Sequence, residues 1–246
     1  MYLTNNFDES SNVVNVFIFY CLVTVFYHFL LISWLYFMDQ FRFLGKSAFF
    51  SVLVFILIAE TLKFSIANRY LSKKEQQGLG ERHKKIPANK TRFRDLTRGG
   101  FVLSSGLVGY FAFSILFGAG LFDEHEETFM LSALLTCLTV WPLLLHFGSQ
   151  GALGMLLGVK PASGDYTPLA ELLLGSVQLA VAGAWLGAFV LPLDWDRPWQ
   201  AWPIPCSTGA LLGHAAAHLL ALGAFAGPRV IKFITNSHNR PGKKIK

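Results

Sequence analysis

The chain has 246 residues, a mean hydropathy of +0.44, 53% hydrophobic residues and only 15% charged residues. Soluble domains carry roughly 25% charged residues, so this composition excludes a soluble protein of this size. The formal charge is +6, and the basic residues cluster outside the apolar runs. Those runs are continuous rather than alternating, which argues against a β-barrel.

Several runs reach the ~18–20 apolar residues that a helix needs to cross a bilayer. The sequence predicts an all-α polytopic membrane protein, one membrane domain over 1–246, with six transmembrane helices. The expected spans are 13–37, 47–67, 100–122, 128–147, 168–191 and 207–225. The first is too long for a signal-peptide core and has no basic region before it, so it is expected to be retained. Pro142 is expected to kink the fourth span, as lipid-buried helices tolerate.

The connectors set the expected orientation. A basic loop at 68–99 and a basic tail at 226–246, with Lys160, hold seventeen of the 21 basic residues. With six spans these segments share one side, and the positive-inside rule puts both termini in the cytosol. The opposite, lumenal side carries "DEHEE" (123–127) and "LPLDWDRPWQAWPIP" (191–205). The polar, glycine-containing loop 68–99 reads as a mobile topology determinant that could hold anionic lipids. Its sequon at Asn89 is expected to stay unglycosylated on the cytosolic side. The C-terminal "KKIK" places Lys243 and Lys244 where a di-lysine endoplasmic-reticulum retrieval signal puts them; a generic basic tail is the alternative.

Cys21 and Cys137 sit in apolar runs and Cys206 is far from both, so no disulfide framework is expected. "DEHEE" lacks EF-hand spacing and reads as a solvated turn. His214 and His218, in "HAAAH", share a helix face at a metal-compatible spacing. No Glu follows the first His, so the zincin pattern is missing. Two ligands alone make no site, and interhelical hydrogen bonding is the expected role. No metal or other cofactor is expected.

Glu60 and Lys63 lie three residues apart on one face of the second span. A lone charge at mid-membrane costs ~2.5–3.5 kcal/mol on insertion scales. A structural ion pair, with Lys63 reaching toward the cytosolic side, is expected rather than a proton path. Gln178, in the middle of the fifth span, is expected to hydrogen-bond a neighbouring helix.

Gly183 and Gly187 lie four apart, as do Gly209 and Gly213. Small residues at this spacing flatten a helix face and let another backbone approach. The two spans could pack on each other, or the face could receive a partner's helix. Gly148, Gly151, Gly154 and Gly158 suit close packing or a bent or re-entrant segment.

In the corner at 191–205, Trp195, Trp199 and Trp202 suit a membrane interface. Pro192, Pro198, Pro203 and Pro205 stiffen it and stop helix continuation. Asp194 and Asp196 flank Trp195, with Arg197 beside them. A D-x-D metal and phosphate site is one reading; a rigid wedge or docking surface is the favoured one.

This corner, entered from a Gly/Ala-rich span and followed by "CSTGALLGH", closely resembles the signature of the PIG-F family. The likeness also includes "HFGSQGALG" and is strong over about residues 147–213; the first hundred residues match only in pattern. The resemblance implies an endoplasmic-reticulum membrane protein of glycosylphosphatidylinositol (GPI) anchor synthesis. Its members act as a stabilising, non-catalytic partner of large subunits that transfer ethanolamine phosphate to GPI mannoses. Those subunits hold the catalytic metal, so the resemblance hands this chain no catalytic residue. It implies signature positions at Asp194, Trp195, Asp196, Arg197, Pro198 and Trp199. A lumenal lipid-linked transferase using Asp194 and Asp196, and a GPI or phospholipid transporter or scramblase, are the alternatives.

Overall fold

The structure is a computed structural model. It describes residues 11–40, 43–78, 89–120, 124–159, 168–193, 195 and 197–238. The described residues form helices and turns with no strand. In order these are α1 (Ser11–Phe37), α2 (Phe50–Gly78), α3 (Asn89–Leu116), α4 (His125–Leu138), α5 (Val140–Leu156), α6 (Pro168–Ala188) and α7 (Ile204–His238). Short 3-10 turns at Ser47–Phe49 and Pro198–Gln200 precede α2 and α7.

Among the described residues, four helices are long and apolar enough to cross a membrane: α1, α2, α3 and α6. The pair α4–α5, bent by 60°, brings the number to five if it is one broken span. The sixth expected span falls in α7, which carries His214 and His218 and is not among them.

Several expected boundaries shift. The third span is expected over 100–122, but α3 starts at Asn89 and ends at Leu116. Gly118 stops it: at φ +107° it lets Ala119 N–H bond the Ser114 carbonyl and Gly118 N–H the Ile115 carbonyl. That is the 6→1 and 5→2 pair of a Schellman cap. The same pair ends α5 at Gly158, φ +78°. The loop 68–99 is helical at both ends, because α2 runs to Gly78 and α3 begins at Asn89. Likewise α7 continues through His238, well into the tail expected from 226.

The break between α4 and α5 falls at Thr139, three residues before Pro142. Pro142 has no N–H to give the Leu138 carbonyl, and its ring crowds that oxygen. The helix therefore bends ahead of the proline. A second interruption lies inside α5 at Gly148, φ 66° and ψ −176°. That conformation is essentially open to glycine alone.

The main core joins the last turns of α1, the first turns of α2, α4, and the facing ends of α6 and α7, around Leu35, Ile56, Leu138 and Leu211. A second core packs α3, α5 and α6 around Val140, Leu143 and Leu173. Large apolar side chains such as Phe26, Phe29 and Trp34 on α1 and Leu62 on α2 point outward. Lipid is the solvent that such a surface suits.

Candidate functional site

Three features place the residues singled out in the sequence. The first is the contact of α6 with α7. A Cβ added to Gly183 would lie 2.1 Å from the Gly209 carbonyl oxygen, and one added to Gly209 would lie 2.1 Å from that of Gly183. Gly187 meets the Pro205 carbonyl at 2.2 Å, and Gly213 meets the Leu179 carbonyl at 1.9 Å. All four glycines thus form one backbone-to-backbone seam inside the chain. Hydrophobic drive between helices is absent in lipid, and dispersion at such close approach replaces it. Of the two readings of these glycines, the chain realises packing between its own helices. No room is left on that face for a partner's helix.

The second feature is the corner between α6 and α7. The Gln200 amide donates to the Val190 carbonyl at 2.9 Å and the Leu193 carbonyl at 2.7 Å. Arg197 N–H donates to Gln200 Oε1 at 3.1 Å. One side chain thereby closes the chain leaving α6 into a compact turn. Trp202 Nε1 donates to Thr128 Oγ1 on α4 at 3.1 Å. Pro203, after a cis peptide bond, is buried against Gly45 of the α1–α2 connector. Gly45 has φ +97° and no space for a Cβ, so only glycine fits there. Trp195 and Trp199 are exposed and stack edge to face, centroids 5.9 Å apart. Pro198 and Arg197 are exposed as well. Asp194 and Asp196 lie outside the described residues, as do Lys243 and Lys244. Hydrogen bonds from Gln200 and Trp202 and the buried Pro203 thus hold the corner to α6, α4 and the first connector, while its aromatic edge faces outward.

The third feature is a polar cluster within the bundle. Lys63 Nζ donates to Glu60 Oε1 and to Thr24 Oγ1, each at 2.7 Å. Tyr27 donates its hydroxyl to the same Glu60 oxygen at 2.7 Å. The Lys63 ammonium lies 4.8 Å from the Tyr20 ring centroid, and Tyr20 bonds His146 Nε2 at 2.7 Å. The expected ion pair therefore forms, but Lys63 does not reach for the cytosolic side. It is 1% exposed because α1 supplies an oxygen and a ring for it inside the bundle.

Beyond Tyr27 the cluster continues as a stack: His28 on His214 at 4.9 Å, and His214 beside His218 at 4.8 Å. The hydrogen bonds between helices expected of His214 and His218 are not formed among the described residues. His28 and His218 use Nδ1 toward the carbonyl four residues back on their own helices, Thr24 and His214. A carbonyl only accepts, so Nδ1 carries a proton in both rings, and Nε2 of each has no hydrogen-bond partner among the described residues. Neither ring nitrogen of His214 has a hydrogen-bond partner among the described residues. Among the described residues, no three His, Cys, Asp or Glu side chains are grouped to hold a metal ion.

Sequence reasoning missed Tyr20, Thr24, Tyr27, His28 and His146. A signal for the first four existed. They recur at helical spacing along an otherwise apolar span, which marks a face turned to a polar interior.

The chain matches the GPI biosynthesis protein family Pig-F over residues 7–222. It belongs to that family. The match takes in the α6–α7 glycine seam, the corner and the polar cluster. The chain is similar to glycosylphosphatidylinositol anchor biosynthesis protein 11 of Debaryomyces hansenii, 41% identical over 48% of this chain and 50% of that one. It is similar to the mouse protein named GPI ethanolamine phosphate transferase, stabilizing subunit, 37% identical over 44% of this chain and 48% of that one. The human protein of the same name is 36% identical over 47% and 53%. The matched segments thus span about half the length of these curated relatives. No solved structure matches the chain.

Proposed function

We propose that this chain is a stabilising, non-catalytic subunit of endoplasmic-reticulum complexes that transfer ethanolamine phosphate to mannoses of the GPI precursor. The observation that carries this reading is membership of the Pig-F family, together with the mouse and human relatives named as stabilizing subunits. Its partner is then a large catalytic transferase subunit, and the chemistry resides there. The geometry supports a scaffold. The glycine seam locks α6 to α7, and the corner is tied down at its base, with Trp195, Arg197, Pro198 and Trp199 left exposed.

On this reading the chain crosses the membrane six times, with α7 as the sixth span and α4–α5 as one broken span. Both termini are cytosolic, so Lys243 and Lys244 can act in retrieval. The corner with Asp194 and Asp196 faces the lumen, where it meets the catalytic subunit.

The test is a gentle-detergent pull-down of the tagged chain from its own cells, with mass spectrometry of the copurifying proteins. Recovery of a large multi-span protein with a lumenal phosphatase-like domain supports the subunit reading. Recovery of the chain alone, in good yield, overturns it. The transferase and scramblase alternatives would then be assayed directly, with Asp194→Asn as the first variant.

A further inference from the structure

The two sides of α6 differ. One side is filled by α7. The other carries Gln178, the eleventh of its 21 residues and so close to the bilayer midplane if α6 spans. The carboxamide is exposed and makes no hydrogen bond among the described residues. The neighbour expected for it from the sequence is absent among the described residues. Polar side chains inside a membrane are costly and almost always face protein or a water-filled cavity rather than lipid.

The surroundings of Gln178 have a pattern. Glu171, Gly175, Gln178, Ala182, Trp185 and Phe189 follow one another at alternating steps of four and three residues. That 3.5-residue period is the seam of two helices packed with a left-handed crossing, the commonest geometry in membrane bundles. The seam is open. A Cβ at Gly175 would meet nothing within 4 Å. Glu171 is exposed, Trp185 is 48% exposed and Phe189 is 56% exposed. Gly175 and Ala182, one turn to either side of Gln178, keep the surface low where a second backbone would have to approach for the amide to be reached. Trp185 and Phe189, edge to face at 4.7 Å, stand at one end as a ridge.

We propose that this face of α6 docks a transmembrane helix of the large catalytic subunit. The inference rests on the subunit reading above. The occupant's chemistry is set by the seam. It carries a hydrogen-bonding side chain (Asn, Gln, Ser, Thr or His) opposite Gln178. It carries a Lys or Arg at the level of Glu171, about 10 Å along the axis from seven residues at 1.5 Å each. A second copy of this chain fits less well. On a parallel two-fold seam it would set Glu171 against Glu171, and like charges facing each other reject a partner.

The experiment uses the full chain, tagged, in its own membranes. A photocrosslinking amino acid is placed at position 178 or 182, with Phe29 on the outer face of α1, 66% exposed, as the control position. The expected result is an adduct with the large subunit from 178 and 182 and none from 29. In parallel, Gln178→Leu should lower recovery of the large subunit about threefold, the worth of a typical interhelical hydrogen bond. Glu171→Lys should lower it as well. Both variants should stay monodisperse in detergent, since neither residue touches the core. If the large subunit still copurifies while 178 and 182 crosslink only lipid or a second copy, the α6 dock is overturned and the subunit reading stands. If wild type recovers no large subunit, both fall.

Discussion

Gly183 and Gly209 face each other so closely that a Cβ on either would lie 2.1 Å from the other's carbonyl oxygen. Backbone, unlike the end of a flexible side chain, cannot swing away. The two helices must separate to admit even a methyl group, and the neighbouring contacts at Gly187 and Gly213 separate with them.

Gly183→Ala and Gly209→Ala should therefore each destabilise the detergent-solubilised protein by about 1–3 kcal/mol, the range for overpacking a filled core. Gly223→Ala is the contrast. Gly223 lies in the same α7, with nothing within 4 Å of its Cβ. That change should be neutral or stabilising by up to ~1 kcal/mol through helix propensity. Thermal unfolding of the three variants, compared with wild type, separates the two outcomes. Equal losses at 209 and 223 would show that the seam is not tight.

Lys63 and Glu60 form a buried pair at 2.7 Å. Removing one partner strands the other charge, so Lys63→Met should cost about 3–5 kcal/mol. Adding Glu60→Gln to Lys63→Met should restore a substantial part of the loss, because no uncompensated charge then remains. A double-mutant cycle on thermal stability measures this, and purely additive effects would contradict the pairing.

Trp202 anchors the corner to α4 through its N–H on Thr128 Oγ1. Trp202→Phe keeps an aromatic ring and loses that bond, and should cost about 1 kcal/mol, as a typical hydrogen bond does. Trp195→Phe, at a side chain 55% exposed, should leave thermal stability unchanged. A Trp202 variant as stable as wild type would remove Thr128 as the anchor.

Glu126 at the start of α4 accepts the Ser47 backbone N–H, and this bond holds its carboxyl below the usual carboxylate range. A folded-state pKa below the unfolded one gives a contribution that is fully present above the unfolded pKa. It is lost as pH falls through the folded value. Wild type should therefore lose a small increment of thermal stability on acidification through and below the ordinary Glu range near ~4.3. Glu126→Gln should lack that increment while keeping the rest of the acid profile. Superimposable wild-type and variant profiles would rule the bond out as a pH-dependent tie.

The sequence by itself determined the class and the family. Continuous apolar runs with few charges leave helices as the only elements that satisfy every backbone group without water. The ordered Trp, Pro and Asp residues of the corner carried the family resemblance. The spacing of Gly183, Gly187, Gly209 and Gly213 fixed that some helix would approach each pair. It did not say which, because spacing describes one helix and a contact requires two.

Only the tertiary structure decided that α6 and α7 fill each other's glycine faces, leaving Gln178 exposed on the opposite side. It also decided that Lys63 is held inside by Thr24 and Tyr20 of α1 instead of reaching outward. These outcomes depend on which helices become neighbours. In a membrane, where apolar area no longer ranks one face against another, close packing and polar satisfaction make that choice.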